Sequence, residues 1–126
     1  MNVLLLEPNT VLASTYAFAL ERAGHKVTCC AGAQEAVYAL DSGEAEIIVL
    51  ELQLGGHSGV EFLYELRSYP EWQRLPTILH TFVGHENLEL QAERFEALGV
   101  THYLYKPATS LRQLVRAVDE ASLIRV

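Results

Sequence analysis

The sequence predicts an α/β fold, a five-stranded parallel sheet doubly wound as a (βα)5 three-layer sandwich. Short apolar runs alternate five times with longer segments of helical period, which is the pattern of βαβ units around a parallel sheet. The runs are continuous, without polar alternation, so both faces of each strand need cover and helices belong on both sides. Right-handed crossovers between parallel strands then leave few topologies. A chain of 126 residues holds one core of ordinary size, and residues 1–126 read as a single domain with no effector domain.

Val3 to Leu6 is the first run, and Thr10 to Ala23 follows with Leu12, Tyr16, Ala19, Leu20 and Ala23 on one face before Gly24 stops it. Lys26 to Cys30 forms a second, weaker strand, and Ala33 to Leu40 a modest helix ending near Asp41, Ser42 and Gly43. Ile47 to Leu50 is the clearest strand, and Gly55, Gly56 and Gly59 mark the loop after it. Val60, Leu63 and Leu66 stripe a helix from Val60 to Arg67, and Pro76 introduces the fourth strand, Thr77 to His80. Glu86 to Leu98 is the fourth helix, ended by Gly99, and His102 to Tyr105 the fifth strand. Thr109 or Ser110 caps a last helix bearing Leu111, Leu114, Val115 and Val118.

Composition excludes several classes. Hydrophobic residues make up 50% of the chain and charged ones 20%, far from the profile of a disordered chain. The net charge of -7, with nine basic residues scattered along the chain, argues against nucleic-acid binding, which needs clustered Lys and Arg to neutralise phosphates. Met1 to Glu7 lacks a basic leader and a long apolar stretch, so neither a signal peptide nor a membrane span is expected, and the location is expected to be cytoplasmic. Cys29 and Cys30 are adjacent, where a disulfide is strained, so two reduced thiols are expected. His25, His57, His80, His85 and His102 lack metal-ligand spacing. The Gly55, Gly56, Gly59 loop lacks the lysine and hydroxyl of a P-loop, so nucleotide binding is not expected.

In doubly wound folds, chemistry sits outside the carboxyl ends of the strands. The polar residues there are Glu7, Glu51, His80, Thr81 and Lys106. Two carboxylates, a hydroxyl and a lysine can neutralise one another as an ion-paired pocket, or hold a divalent metal and a phosphoryl group. On Val3 to Glu7, Glu46 to Gly59, Leu75 to Thr81 and Ala97 to Pro107, in this order and at these distances, the chain resembles the receiver domain of bacterial response regulators. That resemblance covers essentially the whole chain and implies a CheY-like, flavodoxin-like fold. It places Glu51 at the phosphoacceptor position, ordinarily an aspartate, and Glu7 and Pro8 at two acids that hold Mg²⁺, with the Gln53 backbone carbonyl as a further ligand. It also makes Thr81 the switch hydroxyl, Tyr103 the aromatic that moves with it, and Lys106 the phosphate-pairing lysine, and it implies a cis Lys106–Pro107 bond.

The departures strike the family's chemistry. Pro8 removes one metal-binding carboxylate, and Glu51 carries its carboxylate roughly 1.5 Å further than an aspartate would, one C–C bond length. Misplacement of about 1 Å can cost on the order of a hundredfold in rate. Asp41 and Asp119 are the only aspartates, and neither is near the acceptor position. Phe82 stands where the family is usually small, and Gly55 where it typically has proline. The expectation is therefore a degenerate, pseudo-receiver member that is not an enzyme. It would sit in two-component or phosphorelay signalling as a protein-interaction module, with Glu51 paired to Lys106. The alternative is a working phosphoacceptor at Glu51 with weak Mg²⁺ binding through Glu7, Glu51 and the Gln53 carbonyl. No other cofactor is expected. Partners are expected to be proteins, engaged through the fourth helix, fifth strand and fifth helix, with neither nucleic acid nor membrane. Arg112 with Arg116, and Glu89 with Glu93, share helix faces and offer a homodimer as one arrangement. Phe18 and Tyr64 fall off their helices' apolar stripes and read as exposed contacts.

Overall fold

The computed structural model describes residues 1–84 and 91–124. Its strands are β1 (Asn2–Leu6), β2 (Lys26–Cys30), β3 (Ile47–Leu50), β4 (Thr77–Thr81) and β5 (Val100–Tyr105), all parallel in the order β2-β1-β3-β4-β5. The helices are α1 (Thr10–Arg22), α2 (Ala33–Leu40), α3 (Gly59–Arg67), α4 (Ala92–Ala97) and α5 (Leu111–Ile124), with 3₁₀ turns at Pro70–Trp72 and Lys106–Ala108. The start expected for the fourth helix, together with His85 and Glu89, lies outside the described residues.

Strand pleating explains the continuous apolar runs. Leu4 and Leu6 of β1 point to one side with Leu50 and Leu79, packing on Ala36 and Leu40 of α2, Phe62, Leu63 and Leu66 of α3, and Phe95 of α4. Val3 and Leu5 point to the other side with Ile47, Val49 and Ile78, against Ala13, Ala17 and Leu20 of α1 and Leu114, Val118 and Ala121 of α5. Strand β2 has only one sheet neighbour and is largely exposed, which is why it reads as the weakest run. Its adjacent thiols are both free, Cys29 exposed and Cys30 buried.

The buried stripe of α1 is Ala13, Ala17 and Leu20, displaced by about one residue from the expected face, and Ala23 is exposed beyond the helix end. Two alanines in contact with the sheet let the helix approach closely, while the longer Leu12 and Tyr16 lie at the edges of the contact. Asn9 caps α1 by accepting from Leu12 N at 3.0 Å. Ser110, not Thr109, caps α5: its Oγ accepts from Gln113 N at 3.1 Å while Ser110 N donates to Gln113 Oε1 at 2.7 Å, a reciprocal capping box.

Arg67, at the end of α3, ties three segments together without an acidic partner in those contacts. It donates to the carbonyls of Leu98 at 2.8 Å, Trp72 at 2.6 Å and Leu75 at 2.7 Å. Burial pushes its guanidinium below its ordinary pKa. The amino end of α3 is equally constrained, since Gly59 N donates to Leu52 O at 2.8 Å and a Cβ on Gly59 would lie 2.7 Å from Leu52 Cα. Backbone cannot yield there as a flexible side chain would. Gly59→Ala should therefore cost about 1–3 kcal/mol, read as a lower urea midpoint at unchanged m-value.

Candidate functional site

The sheet order sets the site. Glu7 follows β1 and Glu51 follows β3 directly beside it, with Glu7 N bonded to Cys30 O at 2.9 Å and Glu51 N to Leu6 O at 3.0 Å. Thr81 ends β4 in register with Tyr105, so Lys106 emerges one step beyond it. Glu7, Glu51, Thr81 and Lys106 thus stand in a row across four adjacent strand ends, all buried.

Lys106 reaches back across the row. Its Nζ donates to Glu51 Oε1 at 2.7 Å and to Glu7 Oε1, the three side chains each less than 5% exposed. Glu51 Oε1 also accepts from Phe82 N at 3.2 Å, while its Oε2 accepts from Gln53 N at 3.0 Å and from the Thr81 hydroxyl. Each oxygen therefore holds two donors, which fills the four acceptor positions of a carboxylate. Glu7 Oε2 accepts from Asn9 N at 3.1 Å, tying the site to the entrance of α1.

Burial alone would raise the Glu51 pKa, but the Lys106, Thr81 and Gln53 hydrogen bonds, with the Lys106 charge, outweigh it and hold the carboxyl below its ordinary value. His80, one residue before Thr81, is 3% exposed and meets Tyr16 edge-on at 4.6 Å between ring centres. Burial, reinforced by Lys106, pushes it down to about 4.

A short relay leads away from Glu51. Val83 N donates to Thr81 Oγ1 at 3.1 Å, and the Tyr103 hydroxyl donates to Val83 O at 2.6 Å. Tyr103 is half-buried, its ring 6.2 Å from that of Phe95 on α4. The cis bond expected at Lys106–Pro107 is not found: the bond is trans. The physical reason is local, because Lys106–Ala108 closes a 3₁₀ turn through Thr109 N to Lys106 O at 3.1 Å, which trans peptides build without strain.

Three contributors escaped the sequence reading. The Phe82 N–H donates to Glu51, the Phe82 ring faces the Lys106 ammonium, and Tyr16 of α1 approaches the same ammonium from another side. A backbone donor carries no sequence signal, and the reach of Tyr16 depends on where α1 docks. Asp41 and Asp119 lie at the opposite end of the sheet: Asp41 lines a cleft with Trp72, and Asp119 pairs with His25 at 2.7 Å. Phe18 and Tyr64 are exposed as expected, Tyr64 accepting from Arg94 Nε at 2.7 Å.

The resemblance implies Mg²⁺, and the residues present do not fit it. Pro8 offers no carboxylate, both remaining carboxylates are turned onto an ammonium, and among the described residues no three His, Cys, Asp or Glu converge.

The chain matches the response regulator receiver domain family over residues 3–119, and it belongs to that family. It is 29% identical over 114 residues to the phosphate regulon transcriptional regulatory protein PhoB of Rhizobium meliloti, a match covering 90% of this chain and 49% of PhoB, so the chain spans about half the length of that relative. A sensor protein from Polaromonas sp. JS666 shares the fold at a TM-score of 0.85 with 20% identity, covering 95% of this chain and 94% of that one. Vibrio cholerae chemotaxis protein CheY4 does so at 0.82 with 19% identity, covering 94% and 96%.

Two measurements probe the electrostatics. Lys106→Met leaves two buried carboxylates without their cation and should cost about 3–5 kcal/mol in urea unfolding at pH 7. His80 has a folded pKa of about 4 against 6.5 unfolded, so the unfolded chain binds more protons between those values. Stability is fully present above pH 6.5, falls as pH drops towards 4 by about 3 kcal/mol, and levels off below. His80→Leu should remove that part of the pH profile.

Proposed function

We propose that this receiver works as a fixed protein-interaction module in two-component signalling, without phosphoryl transfer at Glu51. The observation that carries the reading is the saturation of the Glu51 carboxylate by Lys106, Thr81, Phe82 N–H and Gln53 N–H. In a working receiver the hydroxyl and lysine positions serve the phosphoryl group; here Glu51 itself engages both. The carboxylate stands in for the phosphoryl charge, holds Thr81 in one arrangement, and through Val83 keeps Tyr103 in one place. Such a domain neither binds Mg²⁺ nor catalyses its own phosphorylation, and its signal is its surface.

The proposed partner surface runs over α4, β5 and α5. An open groove of about 450 Å³ there is lined by Phe95, Glu96, Val100, His102 and Tyr103, so the residue at the end of the Glu51 relay also borders the groove. Arg112 and Arg116 are exposed on α5 and Glu93 on α4, which offers opposite charges for a heterologous partner or a second copy. No helix among the described residues is long and apolar enough to cross a membrane, and a cytoplasmic setting suits the two free thiols.

Incubation with Mg²⁺ and a small phosphodonor, followed by intact mass measurement, should leave the protein's mass unchanged. A phosphoryl increment that disappears in Glu51→Gln would overturn the reading in favour of a working acceptor. Sedimentation at rising concentration separates the partner arrangements, a homodimer abolished by Arg112→Glu with Arg116→Glu being the self-association outcome.

A further inference from the structure

A half-open cavity of about 210 Å³ lies between the β3–α3 turn, Val83 after β4, the start of α4 and Tyr103 of β5, and none of Glu7, Glu51, Thr81 and Lys106 lines it. Leu52, Val60, Val83 and Phe95 supply aliphatic and aromatic walls, Leu52 and Phe95 being buried. An apolar cavity of about 150 Å³ is enough to hold benzene, so this one has room for a six-membered ring with a small substituent.

Polar groups join these walls from separate elements. Ser58 Oγ accepts from Val60 N at 3.1 Å and keeps its own hydrogen for donation. The Gln91 amide makes no side-chain hydrogen bond among the described residues, so both its donor and its acceptor are open to a ligand. The Tyr103 hydroxyl is anchored on Val83 O at 2.6 Å, which fixes its ring as a wall. Among the described residues no charged side chain lines the cavity, so neither an anion nor a cation finds a counter-charge there. Burial and the nearby Glu51 charge push the Tyr103 phenol above its ordinary pKa, and the same negative charge disfavours an anionic occupant.

Apolar walls with a few convergent polar groups are the composition of a small-molecule site. We infer that this cavity binds a small neutral aromatic molecule carrying one hydroxyl group, its ring against Val60, Val83 and Phe95 and its hydroxyl on Gln91 or Ser58. The cavity shares Phe95 and Tyr103 with the open groove over α4 and β5, so an occupant touches two residues of the proposed partner surface. Binding here does not depend on whether Glu51 accepts a phosphoryl group, and the two readings fail separately.

The test is a titration of the isotope-labelled full chain with para-cresol, followed by backbone amide chemical shifts. Those of Ser58, Val60, Val83 and Gln91 should saturate together with a Kd of about 1 mM or tighter, the range for a ligand of this size, while Asp41 and Asp119 at the opposite end of the sheet stay unmoved. Toluene should bind at least about threefold more weakly for want of the hydroxyl, and the anion para-toluate should not bind. Val60→Phe and Val83→Phe, which fill the cavity from two different walls, should each weaken para-cresol at least about tenfold, urea unfolding confirming that each variant is folded. The site is overturned if the wild-type shifts fail to saturate by the solubility limit, if they centre on other residues, if para-toluate binds as tightly as para-cresol, or if a folded filling variant binds like the wild type. Equal affinity for toluene and para-cresol overturns the assigned ligand class.

Discussion

One ammonium held between two carboxylates out of water organises the carboxyl end of this sheet. Charges so buried lose their hydration, and the loss is offset only where geometry is good and the remaining polar positions are satisfied. Both conditions hold around Lys106: Glu51 accepts from four donors, and the second oxygen of Glu7 accepts from Asn9. Such a cluster adds little net stability relative to an apolar core, yet removing one member is costly because the others remain buried and charged. The contacts require the ends of β1, β3, β4 and β5 to stand level, so a slip of β1, β3 or β5 would strand a charge and a slip of β4 would take two donors from Glu51. The site and the sheet register specify each other.

The same cluster accounts for the consequence of the extra methylene in Glu51. Considered alone, the longer side chain only misplaces an acceptor relative to an aspartate. In place, the added reach brings the carboxylate to Lys106, to the Thr81 hydroxyl and to the Phe82 N–H together. Glu51 is a structural hub of the strand ends, and hydrogen bonds through Thr81 and Val83 link it to Tyr103 at the edge of the α4–β5 groove. Pro8 adds no further carboxylate to a trio in which one ammonium already faces two carboxylates.

A second charge, Arg67, does comparable structural work at the far end of α3. Its guanidinium collects the carbonyls of Trp72, Leu75 and Leu98, fastening the segment before β4 and the turn before β5. Gly99 leaves the room that Arg67 needs, since a Cβ there would lie 2.7 Å from Nη2. The sheet is therefore pinned at both ends by cations, one buried and paired to carboxylates, the other half-buried and bonded to carbonyls.

Much of this was legible in the residues. Continuous apolar runs announced a sheet covered on both faces, and the bounds of β2, α2 and β3 coincide with those read from Lys26 to Cys30, Ala33 to Leu40 and Ile47 to Leu50. Polar residues closing those runs identified Glu7, Glu51, Thr81 and Lys106, because a charge at the tip of a buried strand has few other reasons to be there. The trans Lys106–Pro107 bond and the rotated face of α1 were not legible, being set by hydrogen bonds and helix docking that a linear pattern does not encode, and the structure chose Ser110 from the two capping candidates the residues offered. What the sequence by itself determined was the architecture and the row of groups at the strand ends, since periodicity and strand termini are local properties. Only the tertiary structure decided that Lys106 bridges both carboxylates, that Glu51 is saturated, and that Phe82 and Tyr16 wall the ammonium, because these depend on side-chain reach between segments far apart in the chain.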